Sequence, residues 1–372
     1  MFTTDRKCGM TKEIIQVRLK KTRDRSYRIT IQEGILGAVP AFVAAMPAGR
    51  SVFIITDSNV KRLYGGRLLR QLLELRVNAL LIDFPAGEGS KCEQVVSALQ
   101  TQLLEHHVGR DSLVVALGGG VVGDIAGYVA ATVLRGVEFV QVPTTLLAQV
   151  DSSVGGKVGI DHPLGKNLIG TFYQPSAVFI DPRVLKTLPV REFKSGLAEI
   201  VKIAAALDGD FFRLMEANRK KIRKENLALL TELIARSVGL KAAVVEKDEF
   251  ESGVRKTLNL GHTIGHALER STGFSITHGE GVAMGIAAEA RIALRMGFLR
   301  TSENKRLLTL LRSLNLPTAI PVIINREEFW SALAADKKSR GGTPRFVLPC
   351  AIGRSAIGVE VPKYLIAEIF EA

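Results

Sequence analysis

The first half of the chain alternates short apolar runs with amphipathic stretches. The runs SVFIITD, NALLIDF, SLVVALGGG and EFVQVPTT are typical of buried parallel strands, and residues 14–19 and 27–32 predict an opening pair of strands. Segments with helical periodicity, such as GRLLRQLLEL and KCEQVVSALQTQLLEH, lie between the apolar runs. The pattern predicts a Rossmann-like α/β domain, a parallel sheet with crossover helices, whose ligands gather beyond the carboxyl ends of the strands.

Beyond about Pro189 the chain changes to long helical patterns. They include FKSGLAEIVKIAAAL, NLALLTELIARSVGLKAAVVE, GVAMGIAAEARIALRMGF and SENKRLLTLLRSL, in which apolar residues recur at helical spacing. The change predicts two domains, an α/β domain over residues 1–186 and an all-α domain over residues 187–372. We expect the functional site in the cleft between them.

Composition narrows the class of protein. The 372 residues are 47% hydrophobic and 23% charged, which is ordinary for a soluble globular protein. The cysteines, Cys8, Cys92 and Cys350, are odd in number and far apart, so we expect reduced thiols in a cytoplasmic protein. We expect no signal peptide and no membrane span, because the most apolar run, residues 113–134, is broken by glycines and by Asp124.

The formal net charge of +13 indicates an anionic partner. The basic residues are scattered apart from a short cluster at residues 20–25, and only 6% of the residues are aromatic. A nucleic-acid surface would present a basic stripe interleaved with stacking side chains. The charge therefore favours a small anionic substrate over nucleic acid or a membrane surface.

Three of the six histidines fall in one stretch, residues 259–280. His262 and His266 are four residues apart and would share one face of a helix, and His278 follows beyond a short turn. Two histidines at this spacing are often only a packed or solvated pair. Three histidines, or two with a carboxylate from elsewhere, form the usual protein share of a catalytic zinc site with one open position.

Two loops that follow predicted strands have anion-binding features. In ALGGGVVGD, residues 116–124, glycines would let the backbone approach a pyrophosphate at the start of the next helix. In PAGEGSK, residues 85–91, Glu88 could bond ribose hydroxyls and Lys91 could meet phosphate. Simpler alternatives remain, because the first segment could be only a tight turn and the second a solvated loop.

Other polar residues indicate an anion pocket beside the histidines. Residues 143–170 predict a long segment that is either a binding loop or disordered, rich in glycine and poor in large apolar residues. Glu199 and Lys202 share a helical face, either as a surface ion pair or turned inward, where Glu199 could supply a zinc oxygen. Further candidates for a polyanion pocket are Lys241, Glu251, Arg255, Asn259, Lys337 and Lys338.

A series of long motifs occurs in a characteristic order and spacing. They are LGGGVVGD, RGVEFVQVPTTLLAQVDSSVGGKVGIDHPLGKNLIGTFYQP, GLAEIVK, DEFESGVRKTLNLGHTIGHALE, HGE and DKK, and together they resemble the 3-dehydroquinate synthase family of sugar phosphate cyclases over nearly the whole chain. The resemblance implies NAD+ and Zn2+, or Co2+ in its place, as cofactors. It also implies a step of the shikimate pathway of aromatic amino acid biosynthesis. There, 3-deoxy-D-arabino-heptulosonate 7-phosphate becomes 3-dehydroquinate and phosphate through transient oxidation by NAD+, phosphate elimination, re-reduction and aldol closure.

The resemblance also implies roles for individual residues. Glu199, His262 and His278 match the family's metal ligands, and His266 then matches a histidine on the substrate side. Arg135 matches a residue donated across a homodimer interface. The candidate catalytic and substrate-contacting residues are Arg135, Asp151, Lys157, Lys202, Lys241, Glu251, Arg255, Asn259, His266 and Lys337. The candidate cofactor-binding residues are Asp57, Ala86, Gly87, Glu88, Gly89, Ser90, Lys91, Gly120, Val121, Val122, Gly123, Asp124, Thr144, Thr145, Lys157, Lys166, Asn167, Val184, Leu185, Lys186 and Thr187.

The sequence departs from the family pattern at Val158, Asp161 and Gly281, where threonine, asparagine and alanine are usual. Three other functions fit parts of the pattern. A sister cyclase would make 2-deoxy-scyllo-inosose or 2-epi-5-epi-valiolone, but Arg255 and Asn259, at positions that recognise the acid end of the substrate, favour the dehydroquinate enzyme. A metal-dependent polyol dehydrogenase would not need so many anion-binding side chains. The complete metal set argues against a basic binding protein without catalysis.

Overall fold

The computed structural model describes residues 4–5, 12–13, 24–47, 49–320, 324–339 and 344–370. Within residues 4–5, 12–13 and 335–339 only the backbone is described. The predicted strand at residues 14–19 lies outside these ranges. The second predicted opening strand is present, at Arg28–Ile31.

Among the described residues, six parallel strands form the central sheet, and three antiparallel hairpins accompany it. The strands are β1 (Thr4–Asp5), β2 (Lys12–Glu13), β3 (Arg28–Ile31), β4 (Val52–Asp57), β5 (Ala79–Phe84), β6 (Leu113–Gly118), β7 (Glu138–Pro143), β8 (Lys157–His162), β9 (Gly165–Phe172), β10 (Ala177–Ile180), β11 (Arg345–Ala351) and β12 (Arg354–Glu360). The order across the sheet is β3-β10-β7-β6-β4-β5, which confirms the parallel sheet expected from the apolar runs.

Helices cover both faces of the sheet and dominate the second half. They are α1 (Val39–Ala44), α2 (Ser58–Val60), α3 (Gly66–Glu74), α4 (Glu93–Glu105), α5 (Gly120–Thr132), α6 (Val190–Leu207), α7 (Gly209–Asn218), α8 (Leu227–Lys247), α9 (His262–Ser271), α10 (His278–Arg295), α11 (Thr301–Ser313), α12 (Arg326–Ser339) and α13 (Lys363–Ala367). Short 3-10 helices lie at Ile35–Ala38, Glu88–Ser90, Val133–Arg135, Pro182–Thr187, Val254–Asn259 and Glu368–Phe370, and single π-helical turns at Lys61–Gly65 and Ala148–Ser152.

The central strands are apolar on both sides because both faces of the sheet are buried. Phe53 and Ile55 of β4 pack into one apolar cluster with α4 and α5, and Ile54 packs into another with α1 and α3. Successive residues of a strand point to opposite faces, so a strand covered on both sides needs a continuous apolar run. The parallel strands also place the ends of β4, β5, β6, β7 and β10 at one edge, where the loops gather.

The second half is helix-rich, as expected, and its core forms around α6, α8, α9 and α10. It also contains the hairpin of β11 and β12, which packs on α10 and which the all-α description did not include. The packing is continuous with the first half, since Val150 and Ile180 belong to the same core as Val201. The boundary at residue 186 stays a prediction; the 3-10 turn that ends at Thr187 precedes the first long helix of this half.

Residues 143–170 are neither a long irregular loop nor disordered, so that expectation was wrong. After β7 the chain makes the π-helical turn Ala148–Ser152 and then the hairpin of β8 and β9. Glycines make this hairpin possible, because a Cβ on Gly159 would lie 2.4 Å from the carbonyl oxygen of Ile169. Within the described parts of the chain, no helix has both the length and the apolar character of a membrane span.

Candidate active site

The three predicted metal ligands come together from three helices. Glu199 lies in the middle of α6, whereas His262 and His278 are the first residues of α9 and α10. Nε2 of His278 lies 3.2 Å, and Nε2 of His262 lies 3.8 Å, from Oε1 of Glu199. His266 stands one turn along α9, with its ring centroid 5.1 Å from that of His262 and its side chain exposed to the cleft.

The local sequence explains where the two helices begin. Thr277 and Glu280 form a capping box that starts α10 at His278, with the Thr277 amide donating to Glu280 at 2.8 Å. Gly261 precedes α9 with φ +81, a left-handed conformation that favours glycine. Each turn therefore presents one histidine toward the same point.

The donor set and its burial fit a zinc ion. Neighbouring ligand atoms in a tetrahedral site with bonds of about 2.0–2.1 Å are about 3.3 Å apart. The ligand atoms of Glu199, His262 and His278 all lie within 4.8 Å of one another, and the two histidine nitrogens lie 3.2 and 3.8 Å from Glu199, near that spacing. Glu199 is fully buried, and neither carboxylate oxygen accepts a hydrogen bond of regular geometry. Lys202 and the two histidine rings face this buried carboxylate instead, an arrangement that suits a cation-binding position.

Hydrogen bonds to the far ring nitrogens fix the direction of both histidines. Nδ1 of His262 lies 3.2 Å from the carbonyl oxygen of Leu260, and Nδ1 of His278 lies 2.9 Å from Oε1 of Glu269. When Nδ1 donates, the lone pair of Nε2 is left for a metal. Burial opposes protonation of His278, but its bonds to Glu199 and Glu269 outweigh that effect and raise its pKa to about 10.

A cationic cluster lies directly beside these ligands. Lys202, one turn after Glu199 on α6, forms an ion pair with it and lies 3.7 Å from Asp151. Lys241 of α8 donates to the Asp151 carboxylate at 2.6 Å. Burial alone would raise the pKa of Asp151, but Lys202 and Lys241 hold it well below its usual range. The pair on α6 is therefore turned inward, and its surface alternative is excluded.

A second set of polar contacts lies around the start of β8, at the rim of the cleft and directly beneath it. Lys157, at the start of β8, forms an ion pair with Glu251, whose other oxygen accepts from the side-chain amide of Asn259 at 2.8 Å. Arg255 is only 2% exposed, and its Nη2 donates to the carbonyl oxygen of Gly155 at 3.0 Å. A Cβ on Gly155 would lie 2.4 Å from that nitrogen. Arg255 therefore braces the turn before β8, a role that sequence reasoning did not assign to it.

The predicted cofactor residues gather at the carboxyl edge of the sheet. α5 begins at Gly120 directly after β6, and no side chain caps its first turn. A Cβ on Gly119 would lie 2.9 Å from Cγ2 of Thr145, so the glycines keep this turn open. Residues placed along the same edge are Ala86, Gly87, Glu88, Gly89, Ser90, Val121, Val122, Gly123, Thr144, Val184, Leu185 and Lys186.

Some of these side chains are already engaged within the protein. Lys91 is buried, donates to Asp124 at 2.6 Å and contacts the amide oxygen of Asn167, so it does not project freely toward a phosphate. The carboxylate of Asp57 caps α2 by accepting from two backbone amides, at 2.8 and 2.9 Å. Thr187 bonds the hydroxyl of Tyr64 at 2.6 Å.

Of three further candidates, one lies away from the cluster and two have side chains outside the described residues. Arg135 is exposed at the far end of α5, about 20 Å of helix from the glycine turn. The side chains of Lys337 and Lys338 lie outside the described residues, although their backbone belongs to α12. Arg135 therefore does not join the cluster of its own chain, and the roles of Lys337 and Lys338 stay predictions.

Sequence reasoning missed Glu269. It lies on α9 three residues after His266 and seven after His262, so helical spacing alone placed it on the same face. Its carboxylate contacts His278 and also accepts from Lys166 at 2.9 Å. The spacing was a usable signal, but the resemblance assigns no role to this position.

Comparison with known proteins agrees with this geometry. A family model described as 3-dehydroquinate synthase N-terminal matches residues 81–195, and one described as 3-dehydroquinate synthase C-terminal matches residues 196–339. The 3-dehydroquinate synthase of Desulforamulus reducens is 44% identical over 341 residues, which are 91% of this chain and 95% of the relative.

Solved structures of two related cyclases share the fold. The 2-epi-5-epi-valiolone synthase ValA from Streptomyces hygroscopicus subsp. jinggangensis 5008, with NAD+ and Zn2+ bound, has a TM-score of 0.88 at 29% identity, covering 95% of this chain and 98% of its own. A 2-deoxy-scyllo-inosose synthase complexed with carbaglucose-6-phosphate, NAD+ and Co2+ has a TM-score of 0.84 at 28% identity, covering 92% and 96%. The family models and the identity to the Desulforamulus protein establish that the chain belongs to the 3-dehydroquinate synthase family.

Proposed function

We propose that the protein is a 3-dehydroquinate synthase, a carbon–oxygen lyase that converts 3-deoxy-D-arabino-heptulosonate 7-phosphate into 3-dehydroquinate and phosphate. The observation that carries the proposal is the position of the Glu199, His262 and His278 cluster, beside Lys202 and Lys241 and in a family of phosphate-eliminating cyclases. A substrate with a phosphate and a carboxylate matches the cationic cluster, and a hydroxyl on the same substrate could reach the metal position.

Glu199, His262 and His278 would hold Zn2+, or Co2+ in its place, and the glycine turn at Gly120 would receive the pyrophosphate of NAD+. When bound, the metal and the dinucleotide supply a Lewis acid for a substrate hydroxyl and an acceptor for the transient oxidation. The related ValA and 2-deoxy-scyllo-inosose synthase structures, which contain NAD+ with Zn2+ or Co2+, support this pairing.

The chain's own side chains bind and orient the substrate. Lys202 and Lys241 lie deep in the cleft, and Asp151 fixes both ammonium groups by ion pairs, so an anionic substrate meets preoriented donors. Lys157 stands at the exposed rim with Glu251, where it can turn to an incoming anion. His266 is exposed to the cleft and outside the Glu199 cluster, which suits contact with the substrate. Buried walls around Glu199 keep bulk water from the metal position.

The experiment is to supply the purified protein with NAD+, Zn2+ and each candidate sugar phosphate in turn. We expect phosphate release and a carboxylated carbocycle from the seven-carbon acid phosphate, with no net accumulation of NADH. Phosphate release only from a seven-carbon sugar phosphate without the carboxylate would instead identify a sister cyclase. Net NADH formation from a polyol without phosphate release would identify a dehydrogenase. The 44% identity to a 3-dehydroquinate synthase, against 28–29% to the two sister cyclases, favours the first outcome.

We also infer a cytoplasmic homodimer in which each protomer donates Arg135 to its partner. Arg135 is exposed and lies far from the site of its own chain, which is where a residue acting on a second copy would lie. The thiols of Cys92 and Cys350 are free, in line with a reducing compartment.

A further inference from the structure

Glu269 is a buried carboxylate whose two oxygens face partners from two other elements. The residue is 1% exposed. Oε1 lies 2.9 Å from Nδ1 of His278 at the start of α10, and Oε2 accepts from Nζ of Lys166 on β9 at 2.9 Å. Neither the pattern of the sequence nor the family resemblance gave this residue a role.

The contact with His278 determines which ring nitrogen is free. With Nδ1 bonded to Glu269, Nε2 points to Glu199, 3.2 Å away. A carboxylate on the far nitrogen of a metal-binding histidine fixes the tautomer, holds the plane of the ring and makes the ligand more basic. Loss of such a carboxylate lowers metal affinity although all three ligands remain.

Lys166 places a cation beside Glu269 in its buried position, on the carboxylate oxygen that does not contact His278. A buried carboxylate needs a partner cation, because desolvation of a lone charge is costly. Lys166 also lies 3.6 Å from Glu88 in the loop after β5 and 4.8 Å from the ring centroid of Phe274. A chain of contacts therefore runs from the cofactor edge through Lys166 and Glu269 to His278.

Gly281 leaves the space that Glu269 occupies. It lies one turn after the start of α10, and a Cβ built on it would be 3.1 Å from Cγ of Glu269 and 3.0 Å from the carbonyl oxygen of Gly265. The departure from the family pattern at this position thus lies against the carboxylate that contacts His278.

We propose that Glu269 is a positioning residue that holds His278 in its metal-binding orientation, and that Lys166 couples the hairpin of β8 and β9 to the metal position through Glu269. The inference rests on the metal centre of the proposed function but not on its substrate. A direct-ligand role for Glu269 is the competing reading, since His266, Glu269 and His278 also place ligand atoms within 4.8 Å of one another.

The test measures zinc affinity of the metal-stripped full-length protein by competition with a chromophoric chelator, without substrate or NAD+. We expect Glu269→Gln to weaken zinc binding roughly 10–100-fold. The matched control is Glu328→Gln. Glu328 of α12 pairs with Arg270, the residue that follows Glu269 on α9, but it is not part of the metal-ligand cluster. The control variant should bind zinc like the wild type. The visible bands of the Co2+-loaded protein should change in Glu269→Gln and overlay the wild type in Glu328→Gln, a readout that a merely structural role would not alter.

Lys166→Met tests whether Lys166 acts on the metal position through Glu269. It also provides a second variant that remains informative if Glu269→Gln fails to fold. Alone it should weaken zinc binding, and in the Glu269→Gln background it should add little, because both act through one carboxylate. Additive losses would overturn the coupling. Zinc binding by Glu269→Gln within threefold of the wild type would overturn the positioning role, and a loss as complete as in His278→Ala would make Glu269 a ligand. A wild-type protein that binds no zinc would reject the metal centre of the proposed function itself.

Discussion

At the scale of single residues, His262 and His266 separate metal binding from substrate contact. Only His262 belongs to the Glu199 cluster, whereas the ring of His266 is exposed to the cleft. We predict that His262→Ala loses both zinc and turnover, and that His266→Ala keeps zinc but turns over roughly 100-fold more slowly, or worse. Metal analysis of the dialysed proteins together with a phosphate-release assay measures both effects, and equal zinc loss in the two variants would reject the division.

Glu289 gives the fold a dependence on pH. It is fully buried on α10, its carboxylate accepts from the amide of Gly261 at 2.5 Å, and burial raises its pKa to about 8. The folded-state pKa exceeds the ordinary value of 4.5, so the stability that Glu289 contributes is complete below pH 4.5 and is lost as the pH rises through 8.

The matched variant is Glu289→Gln, which cannot ionise. We predict that the free energy of unfolding of the wild type, minus that of the variant, falls between pH 4.5 and 8. The slope should reach at most about 1.4 kcal/mol per pH unit. Urea unfolding of the metal-free proteins at several pH values measures the difference, and a difference that does not vary with pH would contradict the buried carboxylate.

At the scale of elements, α9 and α10 approach each other closely through glycine. A Cβ on Gly285 would lie 1.9 Å from the carbonyl oxygen of Gly261. We predict that Gly285→Ala destabilises the fold by about 3 kcal/mol or more and weakens zinc binding, because it displaces the turn before His262. In the control Gly239→Ala, on the exposed side of α8, nothing lies within 4 Å, and the gain in helix propensity should stabilise by up to about 1 kcal/mol.

Urea unfolding of both glycine variants, compared with the wild type, checks this pair. Equal stability of Gly285→Ala and Gly239→Ala would contradict the prediction, because it would mean that α9 and α10 can move apart without a loss of stability.

Helices and buried strands with a strong hydrophobic periodicity could be predicted from the sequence. Hairpins whose strands are defined by pairing with each other could not. The buried strands and the helices α6, α8, α9, α10 and α11 follow from apolar residues that recur at a period set within one segment. The hairpin of β8 and β9 was misread as a loop, since its glycines look like loop glycines until the opposing strand is known. The hairpin of β11 and β12 was not predicted for a similar reason.

The same distinction applies to the site. Helical spacing predicted only that His262 and His266 share a face, and the motif resemblance selected Glu199, His262 and His278 as the metal ligands. The internal partners of Arg255 and Lys91 were not predictable, because they lie 100 and 33 positions away, at Gly155 and Asp124. Such contacts depend on tertiary packing, which no local pattern encodes.

At the scale of the whole molecule, the position of Arg135 predicts that two chains complete one site. We predict that a hybrid dimer of one Arg135→Ala protomer and one His262→Ala protomer regains about half of the wild-type activity, because one of its two sites has every residue. Co-expression with two affinity tags yields the hybrid, and both parent homodimers should be inactive. A hybrid no more active than its parents would show that Arg135 does not act across an interface.

The apolar floor of the cleft sets where the molecule can open. Val150 within the π-helical turn, Ile180 at the end of β10 and Val201 of α6 share one core. Parting the two halves there would expose apolar surface, at a cost of about 25 cal/mol per Å2. The rim contact of Lys157 with Glu251 is partly exposed, and pairs of that kind contribute only about 0–1 kcal/mol. Breaking the rim contact to admit a ligand therefore costs much less free energy than parting the apolar core beneath it.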